Sequence, residues 1–266
     1  MRERHATRAH GSNAREHGRA PFALLRKAKH WGRATARAES ARLGMHTSTG
    51  GRQPGRPCCN EMVKVKICGI TNLDDARLAV SAGADALGFI FVEGTPRCIS
   101  HDRAASIIRE LPPFVTSVGV FWDHPREHIL SVSRTCGLTA LQFHGDEPPS
   151  EVSHYGLKVI KTLKVATASD LDQIDRYKVD AFLLDSPAQW SEGERRPTLP
   201  WELVRSVAAT VPIILSAGLT PENVREAIQI ASPYGVDVNS GVEAYPGKKD
   251  PDKVRRFISE ARRGSA

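Results

Sequence analysis

Cys68 and Asp185 are the side chains best placed to move a proton. Each closes a short apolar run, Val63–Ile67 before the cysteine and Ala181–Leu184 before the aspartate, which is where a buried strand would end. A thiol serves as a base once ionised. Gly69 follows Cys68 and leaves the backbone open to a ligand, and anion-binding donors facing the sulfur would favour the thiolate. Burial at the end of an apolar run favours the neutral form of Asp185, which makes it a general acid. Both residues also have ordinary readings, a small buried hydrophobe for Cys68 and a helix cap for Asp185.

Arg97, in Thr95-Pro96-Arg97, carries the fork that clamps a carboxylate or phosphate, or else is a solvated loop charge. His144, opening His144-Gly145-Asp146-Glu147, either positions a substrate or satisfies loop carbonyls. Ser216-Ala217-Gly218 precedes a helix start and Asn239-Ser240-Gly241 is a small turn. Both present backbone N–H groups and hydroxyls to an anion, although Ser/Gly turns are also plain connections.

These residues need a scaffold, and the apolar patterning supplies one. Eight runs read as buried strands: Val63–Ile67, Ala86–Phe91, Val115–Phe121, Thr139–Phe143, Lys158–Thr162, Asp180–Asp185, Pro212–Ser216 and Gly235–Asn239. Five stretches between them carry helix-start signals. Asn72 precedes Leu73–Ser81, Ser100 precedes His101–Glu110, Pro125 precedes Arg126–Cys136, Ser169 precedes Asp170–Tyr177, and Thr220-Pro221 precedes Glu222–Ala231. Weaker helical patterns cover Pro149–Tyr155, Pro200–Ala209 and Asp252–Arg263. Eight strand-helix units with no room for a second domain favour an α/β fold, a single (β/α)8 TIM barrel, over an open doubly wound sheet. In a barrel the chemistry gathers on loops after the strand ends. The two phosphate-suited turns then follow strands seven and eight, the usual phosphate position.

Charge divides the 266 residues in two. Net charge is +7, yet residues 1–62 hold 13 Lys and Arg against 4 Asp and Glu, so residues 63–266 hold 24 against 26. The domains expected are therefore a disordered basic leader over 1–61 and the barrel over 62–266. Three origins for the leader compete: translation starting inside the chain at Met45 or Met62, an organelle transit peptide, or a basic arm for nucleic acid. The slightly acidic body weighs against nucleic acid as a partner. No apolar run is long enough to span a membrane. The five cysteines, Cys58, Cys59, Cys68, Cys98 and Cys136, lack metal-ligand spacing and are too few for a disulfide scaffold. A reducing, cytoplasmic setting is expected.

An ordered set of motifs carries a family resemblance. Lys66-Ile-Cys-Gly-Ile-Thr71, Gly88-Phe-Ile-Phe91 with Thr95-Pro-Arg97, Val118-Gly-Val-Phe121, Gln142-Phe-His-Gly-Asp-Glu147, Leu183-Leu-Asp185, Ala217-Gly-Leu-Thr-Pro-Glu-Asn223 and Gly235-Val-Asp-Val-Asn-Ser-Gly-Val-Glu243 with Gly247-Lys-Lys-Asp250 resemble phosphoribosylanthranilate isomerase of tryptophan biosynthesis. The resemblance runs from Val63 to the C-terminus. It implies a (β/α)8 barrel performing an Amadori rearrangement on a phosphosugar, as a monomer or homodimer, without cofactor or metal. By resemblance Asp185 is the general acid at the ribose ring oxygen and Cys68 the general base at C2. Arg97 then holds the anthranilate carboxylate, Gly218, Ser240 and Gly241 grip phosphate, and Gln142 and His144 line the wall. Such an acid/base pair needs one proton affinity raised and the other lowered.

Three rivals are weaker. A metal-dependent epimerase of the same fold would need several ligands at strand ends, where only His144 stands. A bifunctional isomerase also acting in histidine synthesis would place an aspartate at Cys68. A nucleic-acid-binding protein would rely on the leader alone. There are also departures from the family pattern. Ser186–Pro200 reads SPAQWSEGERRPTLP where the family carries a glycine-rich mobile cover, so altered lid behaviour is expected. Ala217 stands where the family has glycine, an exchange expected to weaken the phosphate site by restricting the backbone.

Overall fold

The computed structural model describes residues 62–187 and 198–265. The proposed leader and most of the expected lid, residues 188–197, lie outside the described residues.

Eight parallel strands close a barrel in sequence order: β1 (Lys64–Ile67), β2 (Ala86–Ile90), β3 (Thr116–Phe121), β4 (Ala140–Phe143), β5 (Lys158–Lys164), β6 (Ala181–Asp185), β7 (Ile213–Leu215) and β8 (Gly235–Val238). β8 pairs back onto β1 over the whole of both strands, from Lys64 opposite Gly235 to Ile67 opposite Val238. Alternate residues serve two cores. Val65, Ile67, Leu87, Phe89, Leu141, Phe143, Leu215 and Val236 join the layer between strands and helices. Val118, Ala140, Ile160, Ala181, Leu183 and Ile214 form a second cluster, inside the barrel. Burial on both faces explains why the strands read as nearly unbroken apolar runs.

Among the described residues six α-helices pack outside: α1 (Leu73–Ser81), α2 (His101–Arg109), α3 (Arg126–Cys136), α4 (Trp201–Ala208), α5 (Val224–Ala231) and α6 (Pro251–Gly264). The Asn72 side chain caps α1 by accepting from the Asp75 N–H, and Gly137 ends α3 in the left-handed region at φ 72°. Asp250 caps α6, with Pro251 at its first position.

Two of the eight expected helices take another form. Pro149–Tyr155 is a series of turns, because Pro148 and Pro149 supply no N–H donors and His154 (φ 61°) and Gly156 (φ 71°) turn the backbone left-handed. Val152 and Tyr155 nevertheless bury, with Tyr155 against Phe143. The segment after β5 winds as a 3-10 helix, Ala168–Arg176, closed by a Thr167/Asp170 capping box. Its only buried side chains, Leu171 and Ile174, are three apart, the repeat of a 3-10 turn. α5 begins two residues later than expected. The Asn223 side chain accepts from Thr220 N–H (2.8 Å) and donates to the Gly218 carbonyl (2.9 Å), which holds the preceding turn open.

An antiparallel hairpin follows β8, built from β9 (Glu243–Tyr245) and β10 (Lys248–Lys249). The sequence reading did not anticipate it. The hairpin is tied to the start of α1, where Asp75 accepts from Lys248 Nζ (2.5 Å) and from the Lys249 N–H (2.9 Å).

Candidate active site

The carboxyl ends of the strands surround a cavity of about 250 Å³ that Cys68, Arg97, Gln142, His144, Asp185, Gly218, Ser240 and Gly241 all line. Every residue singled out for chemistry reaches this one space. Ile90, Val92, Val120 and Trp122 add an apolar wall on the β2/β3 side. Among the described residues no group of three or more His, Cys, Asp or Glu side chains is arranged to hold a metal ion.

Cys68 follows β1, and strand alternation puts it on the same inward face as Lys66. The site is too tight for a side chain on neighbouring Gly88. A Cβ there would meet Cys68 Sγ at 2.7 Å and Lys66 Nζ at 3.1 Å. Lys66 is buried and donates to Asp237 Oδ1 on β8 at 2.7 Å. Burial works against the Lys66 charge, but Asp237 and the Cys68 sulfur outweigh it and hold the ammonium above the usual lysine range. Burial pushes the Cys68 thiol up, with Lys66 and Lys249 pulling it down and Asp237 opposing them. The expectation of a lowered thiol is therefore reversed in this structure. Desolvation of the sulfur exceeds the pull of the two cations. Gly69 also has a different reason from the one expected. At φ 72° it suits glycine, and a Cβ would lie 2.6 Å from Asn239 Oδ1, so the space serves that side chain.

Arg97 is neither a solvated charge nor an unengaged clamp. Its Nε donates to Glu243 Oε1 (3.0 Å) and Oε2 (3.2 Å), and Nη2 donates to Oε2 (2.7 Å). Glu243 accepts further from Lys249 Nζ (3.2 Å) and the Gly247 N–H (3.2 Å). Burial alone would raise the Glu243 carboxyl, but Arg97 and Lys249 hold it below its ordinary range. Lys249, almost wholly buried, also donates to Asn239 Oδ1 at 2.9 Å, and burial lowers it despite Glu243. The guanidinium is thus fixed in direction by a carboxylate on the β9 hairpin.

Asp185 ends β6 with 3% exposure. Its Oδ1 accepts from the Ser186 N–H at 2.9 Å, and Oδ2 lies 3.7 Å from His144 Nε2. Among the described residues it caps no helix, and α4 begins at Trp201 behind Pro200. His144 stands between Asp185 and the ring of Trp122, 5.2 Å between centroids, and its Nδ1 is 3.4 Å from Gln142 Nε2. Gln142 donates to Thr162 Oγ1 (3.2 Å), while its buried Oε1 has no partner among the described residues. The rest of the His144 loop is structural. Glu147 accepts from Lys161 Nζ (2.7 Å) and from the N–H groups of Asp123 (2.9 Å) and Gly145 (3.2 Å), all buried or partly so.

The phosphate-suited turns touch each other. A Cβ on Gly241 would come 2.0 Å from the Leu219 carbonyl oxygen, so only glycine permits this approach. Ala217 (φ 65°) and Gly218 (φ 63°) are consecutive left-handed residues. Among the described residues no hydrogen bond uses the backbone N–H of Gly218, Ser240 or Gly241. Such a concave run of N–H groups is suited to an anion.

Sequence reasoning missed Lys66, Asp237, Glu243 and Lys249. Lys66 and Asp237 were findable, since a two-residue period places Lys66 on the face of Cys68 and Asp237 on that of Asn239. The partnership of Arg97 with Glu243 spans 146 residues of chain and left no local signal.

Comparisons with known proteins agree with one another. The family model described as N-(5′-phosphoribosyl)anthranilate (PRA) isomerase matches residues 65–260. The N-(5′-phosphoribosyl)anthranilate isomerase of Pelobacter propionicus is 49% identical over 76% of this chain and 96% of its own. The crystal structure of phosphoribosyl anthranilate isomerase from Thermotoga maritima superposes with a TM-score of 0.71 at 44% identity, over 75% of this chain and 98% of that one. A phosphoribosyl anthranilate isomerase in complex with reduced 1-(o-carboxyphenylamino)-1-deoxyribulose 5-phosphate gives 0.69 at 43% identity, with the same coverage.

Proposed function

Because the chain belongs to the N-(5′-phosphoribosyl)anthranilate isomerase family, we propose that it converts N-(5-phosphoribosyl)anthranilate into 1-(o-carboxyphenylamino)-1-deoxyribulose 5-phosphate, a step of tryptophan biosynthesis, with Asp185 as acid and Cys68 as base. The observation that carries the assignment of roles is convergence. Cys68 and Asp185, 117 positions apart in the chain, line one cavity between a backbone anion cradle and a fixed guanidinium.

The substrate binds with its phosphate on the Gly218 and Ser240-Gly241 turns. Its anthranilate end lies toward the apolar β2/β3 wall, where Arg97 faces the carboxylate. Asp185 gives its proton to the ribose ring oxygen, the C1–O bond breaks, and nitrogen's lone pair forms the iminium. The Cys68 thiolate then takes the proton from C2. The C2–H electrons move into a C1–C2 double bond, the iminium becomes a neutral enolamine, and tautomerisation yields the ketone. No cofactor enters these steps. Gln142 and His144 line the cavity wall, His144 on the Asp185 side.

Position 217 is alanine where the resembled family pattern has glycine, yet its methyl is buried while φ stays at 65°, a backbone region that glycine adopts without strain. The test is direct: the full chain incubated with N-(5-phosphoribosyl)anthranilate, with loss of substrate fluorescence followed and the product identified by mass and retention. Turnover supports the proposal. Folded protein that leaves the substrate unchanged overturns it.

A further inference from the structure

Barrel interiors are ordinarily filled by branched apolar side chains, and the inward positions Val118, Ala140, Ile160, Leu183 and Ile214 follow that rule here. The β1/β8 side breaks it with a buried ion pair, Lys66 Nζ to Asp237 Oδ1 at 2.7 Å. Such a pair is a poor source of stability, because desolvating both ions consumes most of what their attraction returns. Its position gives it another use. The point where a Gly88 Cβ would sit is 3.1 Å from the ammonium and 2.7 Å from the Cys68 sulfur, so the ammonium and the sulfur crowd the same small volume.

The charge balance around the sulfur tells the same story. On β1, β8, the β2 loop and the hairpin, the cations are Lys64, Lys66, Arg97, Lys248 and Lys249, and the carboxylates are Glu93, Asp237 and Glu243. Of these, Lys66 and Lys249 favour an ionised sulfur and Asp237 opposes it. Asp185 lies on the opposite side of the cavity with His144.

We propose that Lys66 is a positioning residue for the reaction: held by Asp237 beneath Cys68, its ammonium is the counter-ion for the thiolate that Cys68 must form. This rests on the isomerase reading for its role in turnover, but the ion pairing itself does not. No proton leaves Lys66. When the thiolate takes the C2 proton an S–H bond forms, the C2–H pair moves into the substrate, and the ammonium is left neutralised by Asp237 alone. Burial pushes the thiol up and Lys66 is the nearest opposing charge on its own strand, so removing Lys66 and removing Asp237 must act in opposite directions.

The experiment is a pH titration of thiolate absorbance at 240 nm on the full chain, with the Cys68→Ala spectrum subtracted, for the parent, Lys66→Gln and Asp237→Asn. Lys66→Gln is expected to move the Cys68 midpoint up by about one pH unit or more, and Asp237→Asn to move it down, because Lys66 then pairs with the sulfur alone. Lys66→Arg should retain most of the parent midpoint. Where Lys66→Gln leaves Asp237 uncompensated and fails to fold, Asp237→Asn decides alone: a downward shift supports the proposal, and no shift or an upward one overturns it. Both variants shifting in the same direction also overturns it. No substrate is used, so a failure here is separate from a failure of turnover.

Discussion

Two walls of the same cavity are built from different materials. Around Cys68 the wall is lined by Arg97 and Asp237 and backed by Lys66, Glu243 and Lys249, drawn from β1, the β2 loop, β8 and the hairpin and linked as Lys66–Asp237 and Arg97–Glu243–Lys249. Across from the β2/β3 side, the turns after β7 and β8 offer backbone N–H groups fixed by Asn223 and by the close approach of Gly241 to Leu219. The difference follows from the task. A bound phosphate is already an anion and needs only pre-aimed donors, which the main chain supplies. In the proposed reaction a thiolate must be created inside a buried site, where full charges counter part of the cost of its desolvation.

If that contrast is right, the charged wall should be fragile to loss of one charge. Glu243→Gln leaves Arg97 and Lys249 short of a buried counter-ion and is expected to destabilise the fold by about 3 kcal/mol, measured by urea unfolding. A change under about 0.5 kcal/mol would show that solvent already screens these cations. The backbone wall should instead be fragile to shape. Gly241→Ala forces a methyl onto the Leu219 carbonyl, and the inhibition constant of inorganic phosphate as a competitor should rise about tenfold through loss of a well-aimed donor. Unchanged phosphate inhibition would remove this turn from the phosphate site.

pH sharpens the comparison further. The Cys68 thiol lies above its ordinary value of 9.0 in the folded chain. Its contribution to stability is therefore fully present below about pH 9 and fades as pH rises through the folded value. The stability of the parent relative to Cys68→Ala should fall on going above pH 9, and a rising difference would mean the folded thiol ionises more readily than the unfolded one. The smallest effect concerns Ala217. Relief of a left-handed alanine gains about 1–2 kcal/mol, offset by a lost buried methyl of about 0.8 kcal/mol and the unfolded-chain freedom of glycine, about 0.4–1 kcal/mol. Ala217→Gly should leave thermal stability nearly unchanged, which bears on the expectation that alanine weakens this turn.

The sequence made the barrel readable because burial on both faces of a strand leaves an apolar run that neither loops nor surface helices imitate. All eight runs became strands, with ends moved by one or two residues. The missing helix after β4 was less readable, because its proline pair looks the same as a helix start and the left-handed His154 leaves no compositional mark. In the site, residues at strand ends were legible since topology alone brings them together. Their partners were not. Glu243 reaches Arg97 through a hairpin of seven residues that no hydrophobic period announces, and Lys66 lies inside a run whose lysines read as part of the strand.

In the proposed reaction Cys68 and Asp185 divide the proton work of one cavity. The most direct measurement is kcat on N-(5-phosphoribosyl)anthranilate for the full chain, Cys68→Ala, Asp185→Asn and the double variant at matched folded concentration. A fall of about 10²–10⁴ is expected in each single variant, with the double variant little lower than either, since both steps lie on one path. A parent that turns over substrate while either single variant keeps the parent's rate would contradict it.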